Sequence, residues 1–332
     1  MLWLLTLMHG AVDGLCGAVL ITHEQPGTSY TDILCLYALY NPIAFGGQWI
    51  TGLVLDLKPA WLTRSLPVAL TLLALGALPA TDVYRQAVLL GFGNCLFHAA
   101  GGSLVLRSTQ RFTEPGLFVA SGAIGLALGL FGYLPPTCFL LTAALCTGGV
   151  LWFAKPVMVC AEPEKPAPHS QAPLLLCVAL LLACVILRGF GGGGHSSASV
   201  LLFPAVFTLG KALGGVCCDF LGYNRTLLLI FLVSFLALQV EGLAGSVVFA
   251  LAMNMTMPLT LRLAHFSFPA YPGLIFGLAA GCLLPGVCFG YLLLQPQPVM
   301  VAVFLCLYAA GCLYQTYGDN NANARTHHRY AA

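Results

Sequence analysis

Charge is what this sequence has least of. Asp, Glu, Lys and Arg together make up 7% of its 332 residues, where a soluble domain carries about a quarter. With 59% hydrophobic residues, so few charges cannot clothe the surface against water, and lipid is the solvent expected for most of the chain. Thirteen basic and eleven acidic residues leave a net charge of +2, too small for the grip on phosphates that nucleic-acid binding requires. No CxxC pair occurs among the fourteen cysteines. Most sit singly in apolar runs, so they read as small packing residues rather than disulfide or metal partners. The zinc-protease pattern H-E-x-x-H is missing, and no G-x-S-x-G sits in a strand–turn–helix setting. "GFGGGG" (189–194) formally contains G-x-G-x-x-G, but no strand precedes it, which excludes a dinucleotide fold there. These absences predict neither an enzyme, nor a cofactor, nor a bound metal. The first apolar run has no basic stretch before it and carries His9 and Asp13, so it reads as a retained span rather than a cleaved signal.

What is present is a series of long apolar runs. Twelve spans are predicted, at about 2–22, 33–54, 64–80, 85–106, 115–133, 136–154, 173–191, 198–218, 225–241, 244–263, 272–294 and 297–315. The polar stretch "KPVMVCAEPEKPAPHSQAP" (155–173) has six spans on either side. The chain thus divides into a first half (1–154), a central loop (155–172), a second half (173–315) and a polar, loose tail (316–332). Lys58, Arg64, Arg107, Arg111, Lys155, Lys165, Arg225, Arg262, Arg325 and Arg329 all fall on one side of this arrangement, and Arg85 flanks the other. The positive-inside rule then makes both termini and the central loop cytoplasmic. The fold expected is an all-α polytopic membrane protein of about twelve transmembrane helices in two six-helix halves.

The two halves repeat one another. "GLVLD" (Gly52 to Asp56) ends the second span and "GVCCD" (Gly215 to Asp219) ends the eighth. Arg107 is followed by "EPG" (114–116), and Arg262 by "YPG" (271–273). Glycines recur at helical spacing in the next span of each half (Gly122, Gly125, Gly129, Gly132; Gly273, Gly277, Gly281), where they let helices approach closely in lipid. These residues resemble the major facilitator superfamily, whose signature between spans two and three, echoed between eight and nine, is G-x-x-x-D-x-x-G-x-x-R/K. Gly215, Asp219, Gly222 and Arg225 match it; the first copy keeps Gly52 and Asp56, followed by Lys58. The resemblance implies a gating latch, in which the carboxylate faces a helix N-terminus or a basic residue across the interface of the halves. "MHGAVD" (Met8 to Asp13) and residues 91–129 look like the fosmidomycin-resistance branch, best over 8–130 and weaker over 187–225. That branch carries H-x-x-x-D in span one and an FHP-acid element in span four, and is reported as drug-efflux and related transporters. Ala99 and Ala100 replace the Pro and acid after His98, and Leu130 stands where the fifth span has a Pro associated with antiport. The resemblance places the protein in a bacterial inner membrane.

Ionisable groups inside a bilayer are costly and are functional candidates by default. His9 and Asp13 are four apart on one helix face and can touch. His98, nine residues before Arg107, reaches a comparable depth on span four, with Asn94 one turn away. Imidazole titrates near neutrality, so the cluster reads either as a proton or substrate site or as a static hydrogen-bond network joining spans one and four. In the second half, Lys211 lies about 12 Å inside span eight, suited to an anionic substrate or a salt bridge. Arg188 either snorkels at the outer end of span seven or, with His195, faces the cavity. Asn254, Thr256 and Pro258 on span ten offer hydrogen bonding and a kink. The function expected is a proton-coupled secondary transporter exporting a small polar or anionic compound, acting as a monomer with substrate, protons and lipid as its partners. Metabolite uptake by symport or facilitated diffusion, and a non-transporting membrane sensor, are the alternatives.

Overall fold

A backbone amide in lipid has no water to turn to, so apolar runs must close their hydrogen bonds within themselves. The computed structural model describes residues 1–24, 29–78, 82–153, 171–191, 200–289 and 295–330, and among them there are helices and turns but no strand. In chain order the helices are α1 (Leu2–Leu20), α2 (Tyr30–Asn41), α3 (Gln48–Leu57), α4 (Ser65–Gly76), α5 (Val83–Ser108), α6 (Thr113–Leu130) and α7 (Pro136–Phe153). Then follow α8 (Ala172–Gly191), α9 (Leu202–Leu221), α10 (Tyr223–Ala237), α11 (Leu243–Ser267), α12 (Pro272–Gly281), α13 (Leu284–Phe289) and α14 (Pro296–Tyr330). Over its described residues, each of the twelve predicted spans falls mainly on one helix or, for the second and eleventh, on a consecutive pair. Among the described residues eight helices are long and apolar enough to cross a membrane, and Ser65–Gly76, Tyr223–Ala237 and Pro272–Gly286 are apolar but shorter. The chain is an integral, multi-pass membrane protein.

Local chemistry explains where helices start and break. Asp82 caps α5 by accepting from the Tyr84 amide at 2.9 Å, and Ser29 caps α2 through the Thr31 amide. Pro42 has no amide hydrogen to continue α2, and a π-helical turn over Pro42–Gly46 carries the chain into α3. The buried Gln48 side chain donates to the Ala44 carbonyl at 2.7 Å, satisfying backbone that this irregular turn loosens. Two sequence expectations are corrected at the end of the chain and in α6. The last helix runs to Tyr330, past the expected end of the span, so the tail is not a loose segment where it is described. Gly132 lies beyond α6 in a turn with φ +67°, not on a packing face. Residues 155–170 of the expected central loop, and His195, lie outside the described residues, and α8 already starts at Ala172.

Burial sorts the helices. The apolar windows of α5 and α11 are each 78% buried, whereas those of α7 and α14 are 28% and 33% buried. The first pair therefore occupies the centre, and the second faces lipid, with Trp152 of α7 exposed. One core cluster draws mainly on residues 5–150 and another on residues 177–310, so each half has its own packing. Between the halves, α3 packs on α12 and α6 packs on α9. Within the first half, α6 lies directly against α1: a Cβ at Gly125 or Gly129 would run into the carbonyl of Gly10 or Gly14. This close approach brings α6 alongside the ionisable groups of α1.

Candidate functional site

The four first-half candidates meet. On α1, His9 Nε2 lies 3.2 Å from Asp13 Oδ2. From α5, His98 Nε2 lies 2.9 Å from His9 Nε2 and 3.4 Å from Asp13 Oδ1. Asn94 donates from Nδ2 to Asp13 Oδ1 at 3.2 Å. Neighbouring residues shape this group. Phe97 and Phe118 pack around His9, and Gly122 of α6 leaves space that a Cβ would take from Asp13 Oδ2 and His9 Nε2. His9, Asn94 and His98 are buried, but 20% of the Asp13 side chain stays accessible, so the cluster keeps one wet edge.

The contacts fix part of the proton inventory. His98 Nδ1 is 2.9 Å from the Asn94 carbonyl, which only accepts, so Nδ1 carries a hydrogen. Neutral His98 therefore presents a bare Nε2. Two Nε2 atoms at 2.9 Å are repulsive when both are bare or both protonated, so one proton sits between the rings. A second proton entering at His98 Nε2 requires His9 to move its own to Nδ1, a buried atom with no hydrogen-bond partner among the described residues. Sequence spacing alone left the ionisable groups too scattered for a metal set; the fold brings His9, Asp13 and His98 within ligand distance of one another.

The second-half candidates face the same region in part. Arg188 is buried and does not snorkel. It donates to Thr256 Oγ1 at 3.1 Å and to Met257 Sδ at 2.8 Å on α11, and forms no ion pair among the described residues. Lys211 of α9 donates to the Val119 carbonyl of α6 at 3.3 Å, and its charge bears on Arg188, Asp13 and His9. Lys211 thus brings a cation of the second half near the acid of the first. Asn254 is separate: its Nδ2 bonds back to the Ala250 carbonyl of its own helix.

The two G-x-x-x-D segments form matched contacts at one end of the bundle. Buried Asp56, at the end of α3, accepts from the Gly273 and Leu274 amides at 3.0 and 2.8 Å, at the start of α12. It also pairs with Arg107 at 2.8 Å. Asp219, at the end of α9, accepts from the Phe112 and Thr113 amides at 2.8 and 2.9 Å and from Thr113 Oγ1 at 2.6 Å, at the start of α6. Each carboxylate therefore sits at a helix N-terminus of the opposite half, where orphan amides and the helix dipole favour a negative charge. Glycine makes the approach possible in both copies. A Cβ at Gly52 would strike the Gly273 carbonyl, and one at Gly215 the Phe112 carbonyl. Gly222 closes α9 at φ +80°. Arg225 does not join the latch: it is exposed and makes no ion pair among the described residues. Buried Arg262 has that role instead, donating from α11 to the carbonyls of Leu106, Thr109 and Arg111 at 2.9–3.1 Å. The sequence expected a helix N-terminus or a basic residue opposite each carboxylate but did not name the starts of α12 and α6, which "YPG" and "TEPG" mark.

No protein-family model matches the chain, and no curated protein does. Solved structures do match it. One is the crystal structure of a major facilitator superfamily transporter, FucP, in the outward conformation, with a TM-score of 0.64 at 11% identity, covering 95% of this chain and 97% of that one. Another is the Escherichia coli fucose:proton symporter FucP, with a TM-score of 0.58 at 11% identity over 95% of this chain and 98% of that one. At such identity the likeness is one of fold, and the fold is that of the major facilitator superfamily.

Proposed function

We propose that the chain is a proton-coupled secondary transporter that exports a small polar or anionic solute by alternating access across a bacterial inner membrane, with both termini and the latched end cytoplasmic. The observation that carries the reading is the paired latch. Asp56 holds α12 and Asp219 holds α6, each across the interface of the halves. Breaking both frees one end of the bundle while each half keeps its own core. With that end closed, the wet edge at Asp13 opens to the other side. A proton taken up by the His9–Asp13–His98 cluster weakens its attraction for Lys211, and solute exchange near Arg188 and Lys211 then couples to proton exchange. Uptake by symport is the second reading, favoured by the likeness of fold to FucP, a fucose:proton symporter.

Proteoliposomes containing an internal pH dye provide the test. Polar and anionic solutes, including phosphonates, are screened for solute-dependent proton movement in wild type and Asp13→Asn. Proton flux with one solute class that falls at least about tenfold in the variant is the expected result, and its sign relative to solute movement separates export from uptake. Equal solute movement in both proteins without protons would instead make the cluster structural.

A further inference from the structure

Two imidazole nitrogens and a carboxylate converge from α1 and α5 on one small volume. The distances are 2.9 Å between His9 and His98 Nε2, 3.2 Å from His9 to Asp13 and 3.4 Å from His98 to Asp13. Transition metals bind such atoms at about 2.0–2.2 Å. The two Asp13 distances are to different carboxylate oxygens, Oδ2 and Oδ1, and one ligand atom from each of the three residues lies within 4.8 Å of the others, close enough for a single ion to draw them together. We propose that His9, Asp13 and His98 form a binding site for a divalent first-row transition-metal cation, reached along the accessible edge of Asp13.

The surroundings have the features that such a site needs. The Asn94 carbonyl takes the His98 Nδ1 hydrogen, which leaves Nε2 as the bare, ligating nitrogen. Asn94 Nδ2 holds Asp13 from behind, so one residue orients two ligands. Gly122 places no side chain against the ligand atoms, and the accessible edge of Asp13 supplies an entry for the ion and its remaining waters. Two imidazoles with a single carboxylate suit zinc, cobalt, nickel or ferrous iron and discriminate against calcium and magnesium, which prefer all-oxygen shells. Lys211 opposes the cation electrostatically from α9, and the Asp13 carboxylate offsets the ion's charge within the site. The ion takes the place of the proton shared by the two rings, which shifts from His9 Nε2 to His9 Nδ1 so that both rings ligate as neutral imidazoles. This inference rests on the donor geometry and stands apart from the transport reading.

The test uses the full-length protein, stripped with chelator, in nanodiscs and with any affinity tag removed. Zinc is titrated calorimetrically and cobalt by its d–d absorption. One ion per chain is expected, with zinc X-ray absorption reporting two imidazoles. Affinity is expected to fall at least about 100-fold in His9→Gln and His98→Ala, and about tenfold in Asn94→Ala, the range for partners that orient ligands. His327 and His328 in the tail are a competing site, so a chain with both replaced by Ala must retain the ion. Circular dichroism and gel filtration check that each variant is folded. A wild-type chain that binds no ion, an ion kept by folded His98→Ala, or one lost only with the tail histidines would overturn the proposal. Because binding is read without transport, none of these outcomes bears on solute movement.

Discussion

Arg188 shows how far a single residue departs from what stability alone would choose. Its guanidinium is buried beside a hydroxyl and a thioether, with no carboxylate partner among the described residues. A buried cation without a counter-charge is destabilising, and its replacement by a neutral group of similar size is often neutral or stabilising. Arg188→Gln is therefore expected to raise the thermal midpoint in detergent by a few degrees. For an anionic solute the same change is expected to raise the KM about 10–100-fold, through the loss of a charge-assisted contact. Thermal unfolding and solute uptake measured on one preparation check both signs. A lower midpoint with an unchanged KM would make Arg188 a packing residue.

Among the elements, the contacts that matter run between helix ends far apart in sequence. The G-x-x-x-D spacing identified Asp56 and Asp219, because a glycine one turn before a carboxylate is a local pattern. The amides that receive those carboxylates are 106 to 218 residues away in the chain, and only packing of the halves selects them. Arg225 was legible as a cation near Asp219 but sits on α10, beyond the turn at Gly222, and points to solvent. The His9–Asp13 pair was legible for the same reason as the latch glycines, since four residues on a helix fix a distance. The meeting of His98 with both was not, because it depends on how α1 and α5 pack. Steric arguments give a direct test at this scale. In Gly52→Val or Gly215→Val the new side chain meets the backbone of α12 or α6, which cannot give way as a flexible side chain does. Both variants are expected to fold, since each half keeps its core, and to make alkylation of a cysteine introduced at Leu274 or Thr113 at least about tenfold faster. Unchanged protection would show that the helices part without opening the interface.

At the scale of the whole molecule, the two latches close the same end but are unequal. Asp56 is buried and holds Arg107 as well as two amides, whereas Asp219 is exposed and its amide partners can turn to water. A hydrogen bond to a charged group contributes about 1.5–3 kcal/mol where it is shielded and less at an exposed site. Asp56→Asn also leaves Arg107 without its ion pair. The closed state should thus lose more from Asp56→Asn than from Asp219→Asn, and the double variant should shift the equilibrium by about 100-fold or more if the sites act independently. Spin labels carried on unnatural amino acids at Arg64 and Asn224, exposed positions at this end in opposite halves, report the separation directly. One short distance is expected in the wild type, a minor long component in Asp219→Asn, a larger one in Asp56→Asn and a mainly long distribution in the double variant. If the double variant keeps the wild-type distance, the carboxylates cap helices without governing access, and closure of this end must come from the apolar packing of α3 on α12 and α6 on α9.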